Sequence, residues 1–589
     1  MNIDLRANPF FLTEEDCDWV HETIAAMNDE EKVGQLFFQL TSSQKEEDLI
    51  ELIQTYHLGG CRYNPAPARE VWKQNRILQE NSKIPLFIAC NTESGGDGAC
   101  TDGTYIGNGM KIGATGNHDY AEDMGRMGNA EAAAIGCNMA FAPVCDIYYN
   151  PMNTEISTRA FSNDPEMVKK CSVEYVRGAH QNTDFACVAK HFPGNGVDYR
   201  DAHLSNHVND FSTKHWDETY GMVYKELIEN GVEGIMGGHI MLPEYVRELA
   251  PELPEEEVWM PATLNKTLMT TLLRDKLGFQ GVVVTDASHM VAMTNQMTRK
   301  EMLPRAINAG CDMFLFFNDP QEDFRTMLTA YQRGVISEER MTEALTRILG
   351  IKAHLQLHKK SAAEMVPEKD TLDRVLGNEE FKKKQSEISE KSLTLVKYKD
   401  KDVLPISPEK YKKVMIVHIK GHETGMVELL KLCGMEGKNP AETVKEKLCE
   451  RGYDAYVYES PLDQMKQKAL KGEKPDLNIY FAGKNAISEF REQADLVITL
   501  CDVMAGRPSF GMSKGGGEIP WYVFEVPVIA VGCGQPTMLS DIPQVRTYIN
   551  IYDAKENTLE KLIEALSSGA DAFVGKDPID SFCGLQDTK

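Results

Sequence analysis

Short apolar runs alternate with amphipathic stretches of helical length over the first half of the chain. The runs are Gln35–Leu40, Leu58–Cys61, Pro85–Cys90, Met139–Val144, Phe185–Ala189, Gly234–Gly238, Gly281–Thr285 and Asp312–Phe317. Between them lie 3.6-periodic patterns such as Tyr120–Ala134, Pro165–Ala179, His215–Glu229 and Leu264–Leu277. Strands buried on both faces and separated by helices form parallel sheets. Eight such units in series predict a (β/α)8 TIM-like barrel over residues 1–358, closed by the helical pattern Glu338–His354. Residues 359–388 are highly charged and poor in large apolar side chains, a linker with some helix. Beyond them Val414–Ile419, Ala455–Tyr458, Leu496–Cys501, Val528–Gly532 and Thr547–Ile551 alternate with helices such as Ala441–Arg451 and Thr558–Leu566. Residues 389–589 therefore predict a smaller, open α/β sandwich domain. The fold class is α/β throughout, without solenoid repeats.

The length of 589 residues supports two large cores, and 42% hydrophobic with 26% charged residues is ordinary globular composition. Acidic residues outnumber basic ones 89 to 63, a formal net charge of −26. Such a surface repels phosphate backbones and anionic membranes, so neither nucleic acid nor a membrane is an expected partner. The start, MNIDLRANPFFLTEEDCDW, lacks the basic and apolar regions of a signal peptide, and Met313–Phe317 or Val528–Val531 are too short to span a bilayer. The 14 cysteines show no C-x-x-C pair, which is read as reduced, mostly buried thiols in a cytoplasmic protein. The 28 methionines are read as core filler.

Barrel mouths collect side chains from strand ends, which makes Asn91, Glu93, Asp146, Lys190, His191, His239 and Asp286 the positions of interest. Any one of them alone is equally a helix cap or a loop hydrogen-bond partner. The loop Ala189–His207, AKHFPGNGVDYRDAHLSNH, leaves its strand as Lys190-His191, turns through Pro-Gly-Asn-Gly and presents Asp201-Ala202-His203. An aspartate two residues before a histidine can hold the proton-bearing ring nitrogen and raise the basicity of the other, as a general acid/base needs. Leu277–Met290, LGFQGVVVTDASHM, delivers Asp286 to a strand end, where a carboxylate is costly unless bonded or functional. It is placed to act as a nucleophile toward an anomeric carbon. His203 and His207 stand four apart, but a metalloprotease-type glutamate is absent; no metal and no cofactor are expected. Ser513–Pro520, SKGGGEIP, lacks the Lys-Thr of a phosphate loop and is read as a surface loop.

Lys190–His203, KHFPGNGVDYRDAH, resembles the KHFPGHG…DSH loop of glycoside hydrolase family 3, in its β-N-acetylglucosaminidase branch. Pro261–Met290 is similar to the family stretch ending in the nucleophile, and Phe141–Phe161 to the strand-four loop whose arginine, here Arg159, contacts the sugar. The resemblance spans nearly the whole barrel and extends to the segment SEISEKSLTLVKYKDKDVLPI. It implies a retaining exo-glycosidase on terminal β-N-acetylglucosamine, or β-N-acetylhexosamine. Asp286 would form a covalent glycosyl-enzyme, and Asp201 and His203 would be the acid/base dyad. Lys190, His191, Arg159, Asn91, Glu93, Asp146 and His239 would bind substrate, an amino-sugar glycoside. Ala287 after the nucleophile differs from the tryptophan common in the β-glucosidase branch. The chain also departs from the branch pattern: Asn195 replaces a histidine, Asn91-Thr92-Glu93-Ser94-Gly95-Gly96 replaces D-x-E-G-G, and the following arginine is missing. Those departures keep open a β-glucosidase or β-xylosidase, an N-acetylglucosaminide phosphorylase, and a catalytically silent sugar-binding protein. The oligomeric state is not read from the sequence.

Overall fold

A computed structural model describes residues 3–41, 45–153, 155–182, 184–420, 437–459, 461–474, 487–503 and 520–582. The glycine-rich stretch 513–519 lies outside them. The chain forms two compact units: residues 1–109, 118–155 and 159–384 make the first, and 110–117, 156–158 and 385–589 the second.

All eight expected runs of the first half are strands of one closed parallel barrel. In chain order the strands are β1 (Phe37–Thr41), β2 (Gly60–Tyr63), β3 (Phe87–Cys90), β4 (Met139–Ala140), β5 (Ala186–Phe192), β6 (His207–Val208), β7 (Gly234–Gly237), β8 (Ile240–Met241), β9 (Val282–Ala287) and β10 (Met313–Leu315). The barrel order is β1-β10-β9-β7-β5-β4-β3-β2, with β6 and β8 paired separately above it. Val282, Val283 and Val284 are fully buried, which is why valine-rich runs without alternation read as barrel strands. Inside the barrel the Phe38 ring stacks over Phe87 at 6.2 Å and meets Phe141 edge-on at 5.5 Å. Gly60 pairs with both Phe38 and Phe87 across the sheet, and a Cβ there would lie 2.3 Å from the Phe38 ring. Side chains alternate along a strand, so Arg62 shares the inward face with Gly60, one layer nearer the C-terminal mouth. At the opposite end Asp312 gathers Arg274 at 2.6 Å, Arg340 at 2.5 Å and Arg347 at 3.5 Å, a buried cross-brace that serves stability.

Residues 359–388 are largely helical, with helices at Ala362–Met365, Lys369–Val375 and Glu379–Ser392. Few apolar side chains suffice to pack them: Val366 and Leu372 are buried and the Trp72 indole donates to the Pro367 carbonyl at 2.7 Å.

The second unit holds β11 (Thr394–Tyr398), β12 (Lys413–Lys420), β13 (Asp454–Val457), β14 (Leu496–Asp502), β15 (Val528–Gly532) and β16 (Thr547–Asn550). They form one sheet in the order β11-β16-β15-β14-β12-β13, parallel except where β11 runs against β16. Alternate residues feed two cores: Val414, Ile416, Leu496 and Ile498 on one face, Met415, Val417, Val497 and Cys501 on the other. This two-sided burial explains the continuous apolar runs of the sequence.

Candidate active site at the barrel mouth

The loops after β3, β4, β5 and β9 bring the expected residues to the C-terminal mouth. Asp286, near the end of β9, is half-buried and its Oδ1 accepts the Ala287 amide at 2.7 Å. Burial alone would raise its pKa, but the neighbouring His191 and His239 rings, that amide and the Lys190 ammonium hold it below the usual carboxylate range. It is an anion within the field of the Lys190 ammonium, which suits a nucleophile.

Glu93 is clamped from two sides. Arg159 donates through Nε at 2.8 Å and Nη2 at 3.0 Å, and Lys190 Nζ lies 2.5 Å from Oε1. Against the burial that would raise it, these two cations hold the Glu93 carboxyl far below its ordinary value. Burial pulls the Lys190 ammonium down, opposed by Glu93. The trio forms a rigid hydrogen-bonding wall at the mouth. Asp146 is fully buried and wholly committed: its Oδ2 lies 2.7 Å from His191 Nδ1 and its Oδ1 accepts the Asn195 amide at 2.7 Å. Asp146 therefore orients His191 and ties down the loop after β5. Asn91 follows β3 half-buried on the same side, its amide donating to the Gly98 carbonyl.

His239 differs from its expected role. Its Nδ1 is 2.8 Å from the Thr263 hydroxyl and its Nε2 is 3.0 Å from the Ala287 carbonyl, so both nitrogens are engaged internally. Burial pushes its pKa down, so it is a neutral brace on the strand end that carries Asp286.

The loop Phe192–His207 is built to present Asp201 and His203. Gly194 and Gly196 adopt φ of 121° and 107°, and a Cβ on Gly196 would lie 1.9 Å from the Ile147 carbonyl oxygen. The turn is pinned from below by the Trp216 indole donating to the Pro193 carbonyl at 2.7 Å and the Tyr220 hydroxyl donating to the Asn195 carbonyl at 2.5 Å. At the tip, the Ala292 amide donates to the Ala202 carbonyl at 3.1 Å, which docks the loop on the segment following Asp286. His203 Nδ1 is 2.8 Å from Asp201 Oδ1, and its side chain is 51% exposed. The hydrogen bond to Asp201 raises the His203 pKa above 6.5, partly offset by burial, with Glu155 and Asp286 adding to the rise.

Two mouth residues escaped the sequence reading. Glu155 accepts the Ala202 amide at 3.1 Å and so supports the dyad from the loop after β4; nothing local in PMNTEIS signals that reach. Arg62 was missed because the second apolar run ends at Cys61, one residue short. Its guanidinium is half-buried, and burial pulls its pKa down against the opposing pull of Glu93 and Asp286. Glu155, Asp201 and His203 each bring a potential metal-ligand atom within 4.8 Å of the others, but the ring nitrogen facing Asp201 already carries the shared proton. His207 Nδ1 is bound to the Arg200 carbonyl at 2.7 Å and does not join them.

A closed parallel barrel with ionisable side chains gathered at the C-terminal ends of its strands is the architecture of TIM-barrel enzymes. The family model described as the glycosyl hydrolase family 3 N terminal domain matches residues 29–351. A relative from Cellulomonas fimi, named beta-N-acetylglucosaminidase/beta-glucosidase, is 36% identical over 591 residues, covering 100% of both chains. Among solved structures, the beta-glucoside phosphorylase BglX aligns with a TM-score of 0.88 at 34% identity over 99% of each chain. A family 3 beta-N-acetylglucosaminidase from Paenibacillus sp. str. FPU-7 aligns with a TM-score of 0.77 at 25% identity, covering 95% of this chain and 100% of that one. The chain belongs to glycosyl hydrolase family 3.

Proposed function

We propose that the protein is a retaining exo-glycosidase releasing terminal β-N-acetylglucosamine, with Asp286 as nucleophile and His203 as acid/base. The observation that carries this reading is the Asp201–His203 hydrogen bond at 2.8 Å on a loop docked beside the strand of Asp286. In the first step an Asp286 oxygen attacks the anomeric carbon while the glycosidic C–O bond breaks, and His203 Nε2 gives its proton to the departing oxygen. In the second, His203 takes a proton from water, whose oxygen displaces Asp286 and regenerates the carboxylate. Asp201 keeps the ring tautomer fixed through both steps. Glu93, Lys190 and Arg159 hold sugar hydroxyls, and Asp146 and His239 position His191 and the β9 end. No step calls on a metal or cofactor. The 12 described cysteines are free, 11 of them buried, which supports a reducing, cytoplasmic setting. No helix among the described residues is long and apolar enough to cross a membrane.

A second reading is transfer to phosphate. It is favoured by the full-length likeness to a beta-glucoside phosphorylase, and by an imidazole base that places no negative charge against an anionic acceptor. The deciding experiment compares 4-nitrophenyl β-N-acetylglucosaminide with the β-glucoside and β-N-acetylgalactosaminide, with and without phosphate, in wild type and Asp286→Asn. The expected outcome is preference for the N-acetylglucosaminide, lost about 1,000-fold or more in the variant. A rate that climbs with phosphate makes the enzyme a phosphorylase, and preference for the glucoside overturns the sugar assignment.

A further inference from the structure

At the end of the barrel opposite the mouth, a cavity of about 440 Å³ is lined on one side by Lys266, Arg274, Arg340 and Arg347. Four cationic side chains on one cavity are a local departure in a chain of net charge −26. The three guanidiniums are unequally satisfied. Arg274 donates to the Phe279 and Gly281 carbonyls at 3.2 and 2.6 Å and to Asp312 Oδ2 at 2.6 Å. Arg340 donates to the Ile307 and Cys311 carbonyls at 2.9 and 3.0 Å and to Asp312 Oδ1 at 2.5 Å. Arg347 has one hydrogen bond among the described residues, a long one of 3.5 Å to Asp312 Oδ1. Yet its side chain is only 4% exposed, and its buried Nε has no partner. A buried donor left unsatisfied is rare, and an absent ion is one of its few physical explanations. Charge is out of balance in the same place. Asp312 is a single carboxylate facing three guanidiniums, and Glu343 meets Arg340 Nη1 at a long 3.4 Å. Asp275 and Glu339 also line the cavity, but they are exposed, where water and salt screen them. Burial, followed by the charges of Arg347 and Arg340, pulls the Arg274 pKa down to about 9 against the opposing pull of Asp312.

We propose that this cavity binds a phosphoryl group, either as inorganic phosphate or as the ester of a small phosphorylated metabolite. The site lies where Gly281 and Asp312 lead into β9 and β10, at the strand ends remote from Asp286, and is independent of the catalytic reading. Guanidinium forks match the oxygens of a phosphoryl group, and arginine is the side chain most used to recognise it. Such a group carries about −1.5 to −2 charges at pH 7, which answers the guanidinium charge that Asp312 leaves over. A carboxylate would supply at most half of that. Lys266, exposed at the rim, adds a mobile ammonium that can close on the ligand. The volume falls in the range of small-ligand sites, enough for phosphate and an attached sugar-sized group.

The test follows the thermal midpoint of the full-length protein as inorganic phosphate or glucose 6-phosphate is added, with ionic strength held constant by sodium chloride. Wild type is compared with Arg347→Met, which leaves Asp312 two arginine partners, and with Lys266→Ala at the exposed rim. The proposal expects phosphate at millimolar concentration to raise the wild-type midpoint by about 2 °C. It expects Arg347→Met to abolish that rise and Lys266→Ala to reduce it by about half, while turnover of an aryl glycoside without phosphate stays within about twofold of wild type. A larger response to glucose 6-phosphate than to phosphate at equal concentration identifies the occupant as an ester, and the reverse order identifies the free anion. No rise in wild type overturns the proposal. A rise of equal size in Arg347→Met also overturns it, because phosphate then binds elsewhere, the barrel mouth included.

Discussion

Two titratable side chains of the barrel are governed by what they touch. His203 donates to Asp201, and its pKa lies above 6.5 chiefly because of that bond. As a proton donor it is competent below its pKa, so activity should decline as pH rises through it. In Asp201→Asn the bond to an anion is lost, the pKa falls, and the descending limb of kcat should move to lower pH by about one unit. A limb that stays in place would mean another group supplies the proton. Lys352 is the opposite case. It is fully buried, donates to Gln35 Oε1 at 2.7 Å over the Phe87 ring, and burial pulls its pKa from 10.5 to about 7. The unfolded chain holds this proton up to about pH 10.5 and the folded one only below about 7. Stability should therefore increase between those values, with the cost fully present below 7. Lys352→Met should flatten that slope and stabilise the protein at pH 7 by about 2 kcal/mol in chemical denaturation.

At the scale of elements, the loop after β5 shows what a sequence displays and what it conceals. Its glycines, its Asp201-His203 spacing and its place after an apolar run are all readable, and the hydrogen-bonded dyad follows from them. The supports are not readable: Trp216, Tyr220 and Glu155 reach the loop from other elements, and only tertiary contact brings them there. His239 likewise reads as a strand-end ligand, yet Thr263 and Ala287 occupy both its nitrogens. Arg62 was lost to a strand boundary set two residues early, the least legible feature of any element. Gly196 tests the loop as a unit, since an added Cβ meets the Ile147 carbonyl oxygen at 1.9 Å in a left-handed conformation. Gly196→Ala should lower kcat at least tenfold by displacing the dyad. The thermal midpoint should shift by only a few degrees. Unchanged kcat would show that the loop tolerates the shift.

At the scale of the whole chain, the eight barrel strands and the five parallel strands of the second unit were legible because buried parallel strands leave uninterrupted apolar runs. The compact units were not, because they do not follow chain order. Residues 110–117 and 156–158 cluster with 385–589. Within that unit the fully buried Lys111 bonds Asp553 at 2.7 Å, Thr558 at 2.6 Å and Ser389 at 3.0 Å. A lysine in GNGMKIGATGN announces no such partners, since all three lie hundreds of residues downstream. The proposed function belongs to this scale too, for it calls on β9 and the loops after β3, β4 and β5 together. The most direct test of the account is to catch the sugar on Asp286. In His203→Ala an activated aryl glycoside can still glycosylate the enzyme, because its leaving group needs no acid, while removal of the sugar loses its base. Intact-protein mass spectrometry of this variant during turnover should show one glycosyl adduct, mapped after digestion to the peptide containing Asp286. An adduct on another residue, or turnover that persists in Asp286→Asn, would contradict the account.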